Sequence, residues 1–245
     1  MSDNFIHGTQ GEDAMRLGRT LRAGDEGEPG TRPKQLTATS PSASLSARGS
    51  ASGMFRVNLT WNQMPSIPTP RPERGLRVAR RLEPPPILHG RLVDLDLGCL
   101  YEFGTGQRGV VQALGHRRGS YERPPYIRLD QDDRSGSATG ENLFVNLDHY
   151  ESFSRILFFV FAYSGAFDGA NAKVSFHPTA GSPLEVRLDN PIPDARACAV
   201  AMLIRNGSDV VLQREVKYTT GYQAELDRMY GWGMRWATGH QKGVG

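Results

Sequence analysis

Eight apolar residues in a row, Ile156 to Tyr163 (ILFFVFAY), constrain this chain more than any other feature. The run has the length of a strand and falls far short of the roughly 20 residues a bilayer-spanning helix needs. A strand without polar alternation must be covered on both faces. Its neighbours supply the cover. RLVDLDLGCLYEF, VVQALG, NLFVNL, AKVSFHP, LEVRLD, ACAVAMLIRNG and VVLQREVKYT are all strand-like, at short spacing, separated by Gly, Pro, Asn and Asp. RNGSD between the last two reads as a hairpin, as does GTGQRG after the first. Many short strands at this spacing predict an all-β fold, an antiparallel β-sandwich. Two short helical pieces are expected: a turn near Asp148 to Ser154, and Tyr222 to Met229, where Leu226 and Met229 or Tyr230 would face the sheet edge.

Organisation follows composition. Residues 1–53 are rich in Gly, Ser, Thr and Ala (SPSASLSARGSASG), and the expectation is a disordered N-terminal region. The sandwich domain is expected over residues 54–240, opening with the alternating run FRVNLTWN. Residues 63–90 interrupt it as a Pro/Arg-rich linker, with seven prolines between Met64 and Gly90.

Charge and cysteine usage narrow the function. A formal net charge of +3 over 245 residues gives no field that calls for nucleic acid. Cys99 and Cys198 are isolated in apolar surroundings, without the CxxC pairing of a zinc ribbon or redox centre. No GxSxG, HExxH or P-loop is present, and the six histidines are scattered. The N-terminus lacks a secretory pattern. A cytoplasmic protein without a transmembrane segment is the expectation.

One segment carries chemistry. LDQDDRSGSATGENLFVN concentrates Asp130, Asp132, Asp133 and Glu141, with Ser135, Ser137, Thr139 and Asn142 between them and Gly136 and Gly140 as turn points. Carboxylates this close repel one another, and a bound divalent cation removes that cost. Calcium, with six to eight oxygen ligands in adaptable geometry, suits such a loop better than octahedral magnesium. Transition metals are disfavoured because no His or Cys lies in the cluster. Asp130, Asp132 and Glu141 fit positions one, three and twelve of an EF-hand loop. However, Arg134 occupies a ligand position, Ser135 stands where Gly is needed, and the flanks are strands. The EF-hand is therefore rejected. The bland reading is a solvated hydrophilic turn. Upstream, Asp94 and Asp96 lie two apart on a strand and share a face, which points Leu95 and Leu97 to the core. Alone they read as a solvated outer face; beside the acidic loop they read as a shared metal site.

Taken in order, these motifs resemble the TerD family, the bacterial tellurium-resistance and stress-response proteins. DLDLG (Asp94, Asp96) resembles the family's strand motif DxDLDAS. DDRSGSATGEN resembles its acidic loop, of the form GDNxTGxGxGDDE. ILFFVFAYSGA resembles its central apolar strand, and REVKYTTGYQAELDRMYGWGM looks like the TerA-type branch. The chain departs from the pattern at Val93, Cys99, Thr139 and Asn142, and two loop carboxylates are missing. The resemblance implies a cytoplasmic calcium-binding β-sandwich linked to tellurite resistance and stress. It does not imply a known catalytic reaction, and the expectation is a non-enzymatic interaction module whose partners are other proteins of the same stress system, a membrane-associated complex among them. The expected metal ligands are Asp94, Asp96, Asp132, Asp133, Ser135, Ser137, Glu141 and Asn142, with Ca2+ as the ion. The competing expectations are a metal-dependent enzyme or small-molecule binder using the acidic cluster, and a plain scaffold.

Overall fold

The computed structural model describes residues 32–62, 92–130 and 140–236. In chain order the strands are β1 (Lys34–Gln35), β2 (Ser42–Ser44), β3 (Met54–Thr60), β4 (Asp94–Phe103), β5 (Arg108–Val111), β6 (Gly119–Ser120) and β7 (Ile127–Leu129). They continue with β8 (Glu141–Asn146), β9 (Phe153–Ser164), β10 (Lys173–His177), β11 (Leu184–Arg187), β12 (Ala197–Asn206) and β13 (Asp209–Thr219); α1 (Gln223–Tyr230) follows. They form two sheets, ordered β1-β11-β10-β3-β8-β7-β6 and β2-β13-β12-β9-β4-β5. Every pairing is antiparallel except β1 with β11, which runs parallel. The all-β sandwich read from the sequence is the fold observed.

β9 shows why the fold has layers. Its side chains alternate between two apolar compartments. Phe158, Val160 and Ala162 enter the core between the sheets, with Phe55, Val57 and Phe176 from the first sheet and Leu95, Leu97 and Cys99 from β4. Leu157, Phe159 and Phe161 point the other way, into a second cluster under α1 with Leu100, Leu226 and Trp232. Burying each such side chain contributes about 1.5–3 kcal/mol. Leu95 and Leu97 face the core as expected.

The helical expectations hold in outline. A 3₁₀ segment occupies Leu147–Ser152, and α1 covers Gln223–Tyr230. Leu226 is fully buried and Tyr230 packs against the same cluster, whereas Met229 is exposed. Gly231 ends α1 at φ 66°, a left-handed cap that suits glycine. The chain after α1 is tied down by Asp227. Its carboxylate accepts hydrogen bonds from the Gly233 and Met234 amides at 2.7 and 2.9 Å, and from the Trp236 indole at 2.9 Å. Trp232 is wholly buried. Its indole donates to the Tyr101 carbonyl at 3.1 Å, and the Arg155 guanidinium lies 3.9 Å above its ring. Arg155 in turn pairs with Glu102 at 2.7 Å, and Arg108 pairs with the same carboxylate at 3.0 Å.

Residues 32–53 correct the expectation of disorder as far as residue 53. Leu36 and Leu45 are buried in the inter-sheet core, β1 extends one sheet and β2 the other. Composition misled because a segment needs few large side chains when its own backbone completes a sheet. The Leu45 amide donates to the Val210 carbonyl at 2.7 Å, and Ser44 Oγ donates to the Asp209 carboxylate at 2.8 Å. Residues 1–31 and the Pro/Arg-rich stretch 63–90 lie outside the described residues.

Two predictions follow from this packing. Leu45→Ala should cost about 2–5 kcal/mol, the range for emptying a buried leucine site, read as a lower urea midpoint. A change near zero would show that the segment is not part of the folded unit. The second concerns acid. Desolvation pushes the Glu102 carboxyl up, but the hydrogen bonds and charges of Arg155 and Arg108 outweigh it and leave it below its ordinary value. A carboxyl depressed in the folded state contributes stability above its unfolded pKa, near 4.3, and that stability is lost as pH falls through the folded value. Glu102→Gln should therefore flatten the fall of the urea midpoint below about pH 5.

Candidate metal centre

Two strands from different sheets begin with carboxylates, and one of these reaches the backbone of the other strand. β4 begins with Asp94, half-buried, and Asp96, fully buried. β8 begins with Glu141, also buried. β5 pairs with β4 only from Cys99 onward, so the β4 edge before that point has no strand on that side. Glu141 fills the gap: its Oε2 accepts the Leu97 amide at 2.6 Å, one residue along from Asp96. A carboxylate accepting a backbone N–H in the interior is a strong, charge-assisted contact. It joins the two sheets at the end of the sandwich from which the acidic loop departs.

The neck of that loop is closed. The Asp130 amide donates to the Asn142 carbonyl at 2.8 Å, and Leu129 pairs with Leu143. Gly140 turns the chain into β8 at φ 57°, with its α-carbon so near β3 that an added Cβ would lie 2.0 Å from the Leu59 carbonyl oxygen. Only glycine fits there. Asn142 Oδ1 accepts the Asn58 side-chain amide at 3.0 Å across the strand pair, which orients it and occupies one of its two lone pairs. Asn58 and Trp61 belong to this end of the molecule and escaped the sequence reading. The Trp61 indole donates to the Val93 carbonyl at 2.9 Å, just before Asp94. The alternation in FRVNLTWN placed Asn58 on the face opposite Val57 and Leu59 but could not indicate its partner.

The structure thus brings Asp94, Asp96, Glu141 and Asn142 to one end. Asp132, Asp133, Ser135 and Ser137 lie outside the described residues. The donor set is all oxygen, and its two buried carboxylates belong to the class of group that proteins bury only when paired, hydrogen-bonded or metal-bound. That chemistry fits a hard cation. Among the described residues, no three His, Cys, Asp or Glu side chains are grouped so as to cage an ion by themselves.

Other candidate groups have plain structural roles. Cys99 and Cys198 are free and buried, and desolvation pushes both thiols far up, which makes them inert. His149 stacks on Tyr126 with ring centres 3.8 Å apart. Arg118, from the basic stretch, donates to the Asp130 carbonyl and braces the loop neck. Arg128 lies over the Phe144 ring at 5.6 Å. Among the described residues no helix is long and apolar enough to cross a membrane.

Comparison with known proteins adds one relationship. The chain is 32% identical over 207 residues to the tellurium resistance protein TerA of an Alcaligenes species. The match covers 83% of this chain and 57% of that protein, so the chain spans a little over half the length of its relative. No family model matches the chain.

The Glu141 contact is open to a direct check. With a chelator present, Glu141→Ala should lower stability by about 1–3 kcal/mol, because it removes the acceptor of a buried amide. Glu141→Gln keeps an oxygen for Leu97 and should cost clearly less. Equal losses in the two variants would show that the Leu97 hydrogen bond is not what Glu141 supplies.

Proposed function

Because this chain belongs to the tellurium-resistance family, in its TerA-type branch, we propose that it serves tellurite resistance as a calcium-binding, non-catalytic interaction module. The observation that carries the metal part is the convergence of β4 and β8. Glu141 reaches across the sandwich to the backbone beside Asp96. Asp94, Asp96 and Glu141 would hold the ion, joined by oxygens of the segment between Asp130 and Gly140. Bound calcium supplies positive charge that offsets the mutual repulsion of these carboxylates. The protein's part would be to hold Glu141 against the backbone beside Asp96, and to close the loop neck through Asp130 and Asn142.

On this reading the protein works in the cytoplasm. The ion orders a surface that other proteins of the same stress system recognise, near the inner face of the membrane. Among the described residues, the two thiols are buried and His149 is stacked on Tyr126, which favours binding over catalysis.

Calorimetric titration with calcium tests the reading. Binding to the folded state alone stabilises it by about 2.7 kcal/mol at a hundredfold excess over Kd, so the melting temperature should rise with calcium and fall back with chelator. Magnesium should shift it less. Asp96→Asn and Glu141→Gln should each weaken the affinity by about tenfold or more. No heat and no shift with calcium would sink the metal site and leave the family assignment standing.

A further inference from the structure

The outer face of the sheet that holds β3, β7, β8 and β10 has a pattern fixed by register. Phe55, Val57, Leu129, Leu143, Val145 and Phe176 point into the core. Alternation along each strand therefore sends Arg128, Phe144, Arg56 and His177 outward. Pairing sets these four in one row: Arg128 stands opposite Phe144, Phe144 opposite Arg56, and Arg56 opposite His177. The row crosses neighbouring strands about 4.8 Å apart.

Its members alternate cation and ring. Arg128 is exposed, and its guanidinium lies over the Phe144 ring at 5.6 Å. Phe144, Arg56 and His177 are half-buried. Desolvation and the charge of Arg56 hold the His177 imidazole below its ordinary value, so near pH 7 it is an uncharged ring. Among the described residues neither Arg56 nor Arg128 has an ion-pair partner. The acid in the adjoining row, Glu185, is buried and engaged by Lys173 at 3.2 Å and by Gln35 at 2.7 Å. Asp130 stands just past the end of β7. Arg56, Arg128, Lys173 and Arg187 together leave this face positive, a local excess that the small net charge of the whole chain conceals.

Cations alone attract any polyanion. Cations interleaved with rings at strand spacing suit an unpaired nucleic-acid strand in particular. Its phosphates seek guanidinium groups, and its bases stack on aromatic rings and guanidinium planes. A duplex keeps its bases stacked inside, and an acidic peptide has no use for the rings. We propose that this face binds single-stranded nucleic acid without sequence preference, its phosphates against Arg56 and Arg128 and its bases against Phe144 and His177.

The test is fluorescence anisotropy of a labelled oligothymidylate of about 15 nucleotides with the full chain. A chelator is present throughout, so the outcome is independent of the metal reading. Binding should fall in the micromolar range at about 50 mM salt, and log K should decline with log salt at a slope of about −1.4 for two phosphate contacts. Arg56→Ala and Arg128→Ala should each reduce that slope by about 0.7. Phe144→Leu, which keeps apolar bulk without a ring, should weaken binding about fivefold or more, whereas Phe144→Tyr should bind like the parent. Arg205→Ala, on a hairpin of the other sheet, should change neither affinity nor slope, and unchanged melting temperatures would show that the variants are folded. No binding at about 100 μM protein would overturn the proposal. So would poly-glutamate binding as tightly, which would point to an acidic protein partner. Affinity and slope unchanged in both Arg56→Ala and Phe144→Leu would also overturn it, by placing the contacts on other parts of the chain.

Discussion

β9 must be covered twice, and that requirement organises everything else. A strand carrying Phe158 and Val160 on one face and Phe159 and Phe161 on the other leaves no face for water. The first sheet covers the inner face. The outer face needs a further layer, which α1 and the segment through Trp236 provide. The C-terminal helix is thus a consequence of the apolar centre. Its attachments are specific: Asp227 folds the following turn back, and Trp232 sits between Arg155 and the Tyr101 carbonyl. The Glu102 pair with Arg155 and Arg108 then links the sheet edge to that layer.

The acidic end depends on the same arrangement. Asp96 and Glu141 are 45 positions apart in the chain and sit in different sheets. Glu141 nevertheless reaches the Leu97 amide next to Asp96, because β4 lies against β9 in one sheet, β8 lies against β3 in the other, and the core sets the two sheets face to face. The gap where β5 stops short of Leu97 lets a carboxylate into the interior. The strand-side carboxylates are thus held on paired strands.

The strand pattern was legible from residue order because alternation and turn residues are local. The runs through Leu95, Phe158, Val174, Leu184, Leu203 and Leu212 all became strands. The family resemblance joined the acidic strand to the acidic loop, and of that loop's expected ligands only Glu141 and Asn142 lie among the described residues. Three things needed the fold. The segment around Leu36 and Leu45 looked too polar to pack, yet its backbone completes both sheets, and hydrogen bonding between distant strands leaves no trace in composition. The partner of Asn142 was hidden too: the Asn58 side-chain amide, from the neighbouring strand, donates to its side-chain oxygen. The row of Arg128, Phe144, Arg56 and His177 draws on strands from distant parts of the chain, so only their register reveals it. Order along the chain determines which residues are apolar and with what period; only three-dimensional packing decides which polar groups are left to meet, because that depends on contacts the period does not encode.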